Sequence, residues 1–392
     1  MSNQQFQYIK MYLYESTNLK TFFYQVLELL HHEFSFLEDK IIKKGWVNGP
    51  HLHVSYKCPE TESSEEVNEQ LFKVIKHKLA SFEDSCTNAD YRKYEMISER
   101  LAQAERFEGK YLPLKLNHTI ESGTYDISQI KTVYDWELYS QIEIAKTDFF
   151  IKNYQYLSRL DEKQRELLSA KLMLITASHF EIVYGKEILK GIKFGNLSFK
   201  SHYEGFLAQL DLMNEQKRNQ ILAKMNAQTD IMSTFINEEF SYFIEAVDFQ
   251  FVHYYQDDRK TLLDWDHLTN DIKNLIKNGL DDNQIHFDNS HDITAFLNHS
   301  QRLSNFHSEF VTEDAFIQFS KSKGFLTYRL LVNFLYQVFP LLNISPLQKN
   351  KLCKVISTEA EKFYQFSWLD LKQLRGTTYE SDDIYQKIGT KE

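Results

Sequence analysis

The chain has 392 residues, enough for two domains or for one large domain with a helical extension. A net charge of −10 argues against a general nucleic-acid footprint, and three widely spaced cysteines (Cys58, Cys86, Cys353) fit neither a disulfide framework nor a metal site. They suit a reducing cytoplasm, and with no signal pattern at the N-terminus and no apolar run near 18 residues, a cytoplasmic protein without a membrane span is expected.

Thirty Phe and 23 Tyr against 12 Gly and 5 Pro point to long elements, few tight turns and a core built on rings. The same surplus could line a groove that stacks on an apolar or heteroaromatic ligand. Residues 6–14 alternate, with Ile9, Met11 and Leu13 on one side and Tyr8, Lys10 and Tyr12 on the other, the period of a half-buried strand. Asn18 stands where an N-cap would, and Phe22, Val26, Leu29 and Leu30 make 19–34 an amphipathic helix. A second strand is expected over 41–47, in a stretch where Lys40, Lys43 and Lys44 could form a basic patch. Asn48-Gly49-Pro50 is strong turn chemistry, and 51–57 alternates as a third strand. With a helix over 65–79 the order becomes β-α-β-β-α, most of a ferredoxin-like unit.

A helix is expected over 89–107 and short strand and loop over 112–125. From Tyr134 long helical patterns follow, near 135–158, 161–184, 198–209, 213–256, 259–278, 290–312, 324–341 and 346–367. The stretch 213–256 is long enough to be two helices. The expected fold class is α+β, with an N-terminal ferredoxin-like small sheet over 1–130 and a mainly helical part over 131–392.

Several chemical signatures are absent. No Gly-rich phosphate loop, Cys-x-x-Cys pair, His-Glu-x-x-His helix or serine nucleophile elbow occurs, so no cofactor or metal is called for. His286, His291, His299 and His307 cluster in sequence, but His299 and His307 would stand roughly 12 Å apart along one helix, too far to share an ion. A solvated helix face is the better account of them. His51, His53, Ser55 and Lys57 fall on one side of the third strand, with Leu52, Val54 and Tyr56 on the other. Such a row of donors and acceptors can hold a peptide or move protons, or can be a solvent-facing strand side that does nothing. Ser201-His202-Tyr203-Glu204 sets a hydroxyl, an imidazole and a carboxylate close in sequence, although near neighbours on a helix do not face one another. A purely local role, Ser201 bonding the backbone and His202 structural, fits them as well.

Taken in order, several segments resemble the thiopeptide-type bacteriocin biosynthesis family, stand-alone relatives of the lantibiotic dehydratase C-terminal domain. Trp46-Val47-Asn48-Gly49-Pro50-His51-Leu52 is similar to its Trp-x-x-Gly-Pro-His-Leu strand. Leu112-Pro113-Leu114 with Asn117, Thr119 and Tyr125 resembles the stretch that follows, Ser201-His202-Tyr203-Glu204 its Ser-His-x-Glu helix start, and Leu342-Asn343-Ile344-Ser345-Pro346-Leu347 a segment near the end. Each motif is weak alone, but their order runs from residue 6 to about 365, nearly the whole chain.

The resemblance implies an enzyme, a lyase or cyclase, that matures a leader-bearing ribosomal peptide alongside other modification enzymes of its pathway. Elimination members remove glutamate from glutamylated Ser or Thr; related stand-alone members are pyridine synthases, joining two dehydroalanines in a formal aza-cycloaddition and expelling the leader. Elimination domains carry arginines on the strand after the Pro-His turn, and here His53 and Ser55 stand in those places, without a permanently charged planar fork. That favours cyclisation over elimination, with a non-catalytic peptide-binding partner or a helical scaffold as alternatives. The expected catalytic residues are His51, His53, Ser55, Tyr125, His202 and Glu204; the expected substrate contacts are Trp46, Lys57, Asn117 and Ser201.

Overall fold

The computed structural model describes residues 5–105, 107–125, 132–180, 194–227, 229, 232–238, 256–287, 303–304, 306–308, 320–367 and 369–370. They divide into two compact units, Met1–Leu160 and Asp161–Glu392.

In the first unit the alternating segment is strand β1 (Gln7–Tyr12), with Ile9 and Met11 fully buried on one side. Helix α1 (Ser16–His32) buries Phe22, Phe23, Val26, Leu29 and Leu30 along one stripe. Its start corrects the expectation for Asn18: Glu15 is the N-cap, and Asn18 lies in the first turn, donating from Nδ2 to Glu15 Oε2 at 2.7 Å. Nothing in Ser16-Thr17 opposes helix, so the helix begins before the carboxamide and Asn18 bonds backward instead of capping. Strands β2 (Glu38–Gly45) and β3 (His51–Lys57) are joined by the expected turn, in which Asn48 and Gly49 take φ of 62° and 117°. A side chain at Gly49 would collide with the Tyr14 hydroxyl, so both the backbone and the space require glycine there.

Helix α2 (Ser64–Leu79) opens on the Ser63 hydroxyl, and α3 (Asn88–Ala104) on a reciprocal Thr87–Asp90 capping box. Strand β4 (Ile120–Thr124) completes an antiparallel sheet in the order β2-β3-β1-β4. This is the ferredoxin-like arrangement, with α3 added before the last strand. Ile42, Leu52, Val54 and Tyr56 join Ile9 and Met11 on the apolar side, where Tyr56 donates to Asn68 Oδ1 of α2 at 2.9 Å.

Helix α4 (Trp136–Arg159), read from sequence as the start of the helical part, lies in the first unit. Thr147 Oγ1 on α4 accepts from the Ile42 backbone N–H at 3.0 Å, so the outer edge of β2 is occupied there. The Lys40, Lys43 and Lys44 stretch is not a free basic patch. Lys40 Nζ bonds the carbonyls of Ser35 and Leu37, Lys43 pairs with Glu143, and Lys44 lies over the Phe23 ring.

The second unit is helical in its described residues. Helix α5 (Glu162–Ser178) has apolar residues all round, including Leu168, Leu172, Met173, Leu174 and Ile175, and is buried accordingly. Helices α6 (Phe194–Leu210), α7 (Glu215–Asn226), α8 (Gln256–Asp281), α9 (Lys323–Val338) and α10 (Pro346–Tyr364) follow. Trp265 of α8 donates to the Leu172 carbonyl at 3.1 Å and stacks on Phe334 of α9 at 5.8 Å, tying three helices together. The expected break in 213–256 is present, since α7 ends at Asn226. The expected helix over 290–312 falls almost wholly outside the described residues, as does His299. No described helix is long and apolar enough to cross a membrane. The class is α+β with a helical C-terminal part, as the periodicities predict.

Candidate functional site

The pairing of β1, β2 and β3 fixes what surrounds the expected polar row. Lys10 and Lys43 stand opposite His53 on its two neighbouring strands, and Tyr8 and Ile41 stand opposite Ser55. On β4, Glu121 pairs with Lys10 and Gly123 with Tyr8. His51, His53, Ser55 and Lys57 therefore share a side with Phe6, Tyr8, Lys10 and Tyr12.

That side is only partly open to water: His51 and Ser55 are buried, while Tyr8, Lys10, His53 and Tyr125 are half-buried. Rings roof it: Tyr8 and Tyr125 stand 5.4 and 5.2 Å from the His53 ring, Tyr125 is 6.0 Å from Trp136, and Trp136 is 5.8 Å from Tyr139. His53 Nε2 lies 2.9 Å from Ser55 Oγ, within hydrogen-bond reach. Beside them Lys43 Nζ donates to the Tyr139 hydroxyl, lies over that ring, and sits 3.6 Å from Glu143 Oε2. Glu143 also takes Lys146 Nζ at 2.7 Å, both side chains being buried.

Burial sets the protonation states. His53 is held well below the ordinary imidazole range first by desolvation, then by the charges of Lys10 and Lys43 and by His51. His51 falls to about 4 for the same leading reason, its bond to the Gly49 carbonyl and the Glu121 charge opposing, Lys10 adding to the drop. Both imidazoles are neutral at physiological pH. Desolvation, with Glu143 adding, pushes the Tyr125 hydroxyl up to about 12, so it is a donor and not a phenolate. Burial alone would raise Glu143, but the ammonium groups of Lys146 and Lys43 hold its carboxylate below the ordinary range. The result is a neutral imidazole–hydroxyl pair next to an oriented set of charges.

His53, Ser55 and Tyr125 come together in this way; the other expected residues of the first unit are engaged elsewhere. His51 Nδ1 lies 2.9 Å from the Gly49 carbonyl, which can only accept, so Nδ1 carries the proton. A Cβ at Gly45 would strike its ring, so the pair is fitted together. Lys57 pairs with Asp39 at 2.7 Å and covers the Phe6 ring. Trp46 donates to Glu105 Oε2 at 3.1 Å and meets Phe107 edge-on. Asn117 clamps a loop, accepting from the Tyr14 N–H at 3.1 Å and donating to Asp84 at 2.7 Å.

Ser201, His202 and Glu204 lie on α6 in the second unit. As helix geometry demands, they form no triad with one another. His202 packs edge-on to Tyr336 at 5.1 Å, and desolvation, aided by Lys349, His307 and Arg329, lowers it to about 3. Burial raises the Glu204 carboxyl, with Lys200 opposing and Glu361 adding. Ser201 Oγ lies 3.1 Å from His307 Nε2, and Ser304 Oγ lies 2.8 Å from His307 Nδ1. His307 thus corrects the expectation of a solvated histidine face, being 5% exposed and held between two hydroxyls. The 3.6-residue pattern could not show this, because the partner Ser201 is remote in sequence.

Sequence reasoning also missed Trp136, Tyr139 and Glu143. They recur at i, i+3 and i+7 on α4 and so share one helix face, a readable signal. What it did not specify was the target of that face.

No protein-family model matches the chain, and no curated protein matches it in sequence. Among solved structures the chain is similar to the pyridine synthase TbtD from thiomuracin biosynthesis, with a TM-score of 0.62 at 13% identity, over 92% of this chain and 99% of that one. It is also similar to TsrL, with a TM-score of 0.54 at 12% identity, over 92% of this chain and 96% of the other. At these identities the likeness is one of fold, and it is the fold that the family resemblance leads one to expect.

Proposed function

We propose that the protein matures a leader-bearing ribosomal peptide of the thiopeptide type, joining two dehydroalanines in a formal aza-cycloaddition and expelling the leader. The observation that carries this reading is the neutral His53 imidazole, bonded to Ser55 and enclosed by Tyr8 and Tyr125. The fold shared with a pyridine synthase supports it.

Cyclisation needs one backbone amide converted to its iminol, with a proton leaving nitrogen and another arriving on oxygen. After the two carbon–carbon bonds that close the ring form, that hydroxyl leaves as water and the leader leaves as its amide, giving the aromatic ring. A neutral imidazole accepts at one nitrogen while its other N–H is free to donate, and Ser55 can pass the proton along. Tyr125, protonated across the physiological range, donates to the amide oxygen. Lys10, opposite His53 on β1, supplies positive potential where that oxygen gains charge. Aromatic rings beside His53 can stack on an azole-bearing substrate. Glutamate elimination fits less well: the cations beside His53 are lysines, compact point charges, and Lys43 is engaged by Glu143.

The purified protein is incubated with a dehydroalanine-containing, azole-bearing precursor and, separately, with a glutamylated precursor, and products are read by mass spectrometry. Leader release with ring formation in the first arm alone is expected. His53→Ala should lower turnover about 10²–10⁴-fold, the usual worth of a general acid–base group, with peptide affinity kept. Unchanged turnover in His53→Ala rejects the assigned role, and two inert precursors reject the activity.

A further inference from the structure

The sheet has two outer edges. That of β2 is met at Ile42 by Thr147, whereas no described residue pairs with the outer edge of β4. Two backbone bonds settle which groups face outward: Tyr125 N donates to the Phe6 carbonyl, and Tyr12 N donates to the Thr119 carbonyl. In an antiparallel ladder hydrogen-bonded pairs alternate, so residues 119, 121, 123 and 125 turn their main-chain groups toward β1. Ile120, Ser122 and Thr124 therefore turn theirs outward, away from the sheet.

We propose that this edge binds the substrate itself, an extended stretch of the modified peptide added as a further strand beside β4. The inference rests on the peptide-tailoring reading and names the surface that presents the peptide to the site. A row of alternating N–H and C=O groups is complementary to another extended backbone and to little else. The edge is also continuous with the polar side: β4 runs directly into Tyr125, whose ring is 5.2 Å from His53. The row that begins at Ser55 and passes through Tyr8 ends at Gly123 on β4. Gly123 has no side chain, and a Cβ there would lie 3.3 Å from the Tyr8 ring. A peptide residue opposite Gly123, about 4.8 Å further out, would direct its side chain over that gap, toward Tyr8 and Tyr125. Glu121, one pair away, accepts from Tyr12 and pairs with Lys115, so its charge is already met.

Proline at position 122 removes an outward N–H and leaves the bonds to β1 intact, the one placement an edge strand tolerates. The full-length protein is titrated with a fluorescein-labelled synthetic peptide carrying a leader, thiazoles and dehydroalanines. Ser122→Pro should raise Kd roughly tenfold, the worth of one lost bond plus steric exclusion, while Ser122→Ala leaves it unchanged. A second arm needs no change to the protein: N-methylating alternate backbone amides of the peptide should weaken binding in one of the two alternating sets only. Equal affinities for the two sets, or an unaltered Kd in Ser122→Pro, would overturn the edge while leaving the cyclase reading intact. A wild-type protein that turns over neither precursor and does not bind the peptide rejects that reading and this inference together.

Discussion

His51 shows how a single burial decides a charge. Its folded pKa of about 4 lies below the ordinary 6.5, so between those values the unfolded chain binds a proton that the folded chain refuses. Stability from this residue is full above pH 6.5 and is lost as pH falls toward 4, on the order of 3 kcal/mol in all. His53, depressed more strongly, adds a loss in the same direction. Unfolding midpoints measured in denaturant should therefore drop steadily on acidification through this window. His51→Asn, which keeps a donor for the Gly49 carbonyl and cannot titrate, should flatten part of that slope. A wild-type midpoint independent of pH between 6.5 and 4 would show these imidazoles to be solvated.

The element that decides the geometry of the site is α4. Its Thr147 hydroxyl satisfies the Ile42 N–H, and its Glu143 and Tyr139 hold Lys43 beside His53. Thr147→Val keeps the shape but leaves a buried backbone donor without a partner, and should cost about 1–3 kcal/mol in chemical denaturation. Thr147→Ser, which retains the oxygen, should cost markedly less; equal losses would point to packing of the methyl group instead. The strands were readable because alternation is local: Ile9 and Met11, or Leu52, Val54 and Tyr56, announce their side by type alone. The row His51, His53, Ser55 was readable for the same reason. Its surroundings were not, because register is a relation between segments: nothing in Tyr8 or Lys43 states that it stands opposite Ser55 or His53. The same limit hid His307, whose partner Ser201 is 106 residues away. Asn18 failed differently, since capping residues bond backward from a first turn as readily as they start one.

At the scale of the whole chain, composition pointed to long helices and an aromatic core, and the order of elements to a ferredoxin-like start. Where that start ends is a question of what its sheet needs. A fragment of residues 1–130 carries all four strands, yet it lacks Thr147 for the β2 edge and Tyr139 and Glu143 for Lys43, and so bares the side of β2 that carries Ile41 and Lys43. A fragment of residues 1–160 keeps each of these partners and the apolar contacts of Phe149 and Phe150, both buried. The longer fragment should unfold in one cooperative thermal transition followed by circular dichroism, and the shorter should show a shallow, early loss of signal. Sheets of this size gain independent stability only when a hydrophobic face is covered and edge donors are met. If the 130-residue fragment melts as sharply and as late as the longer one, α4 is an accessory to the sheet, and the charges it places beside His53 were added to a site that was already complete.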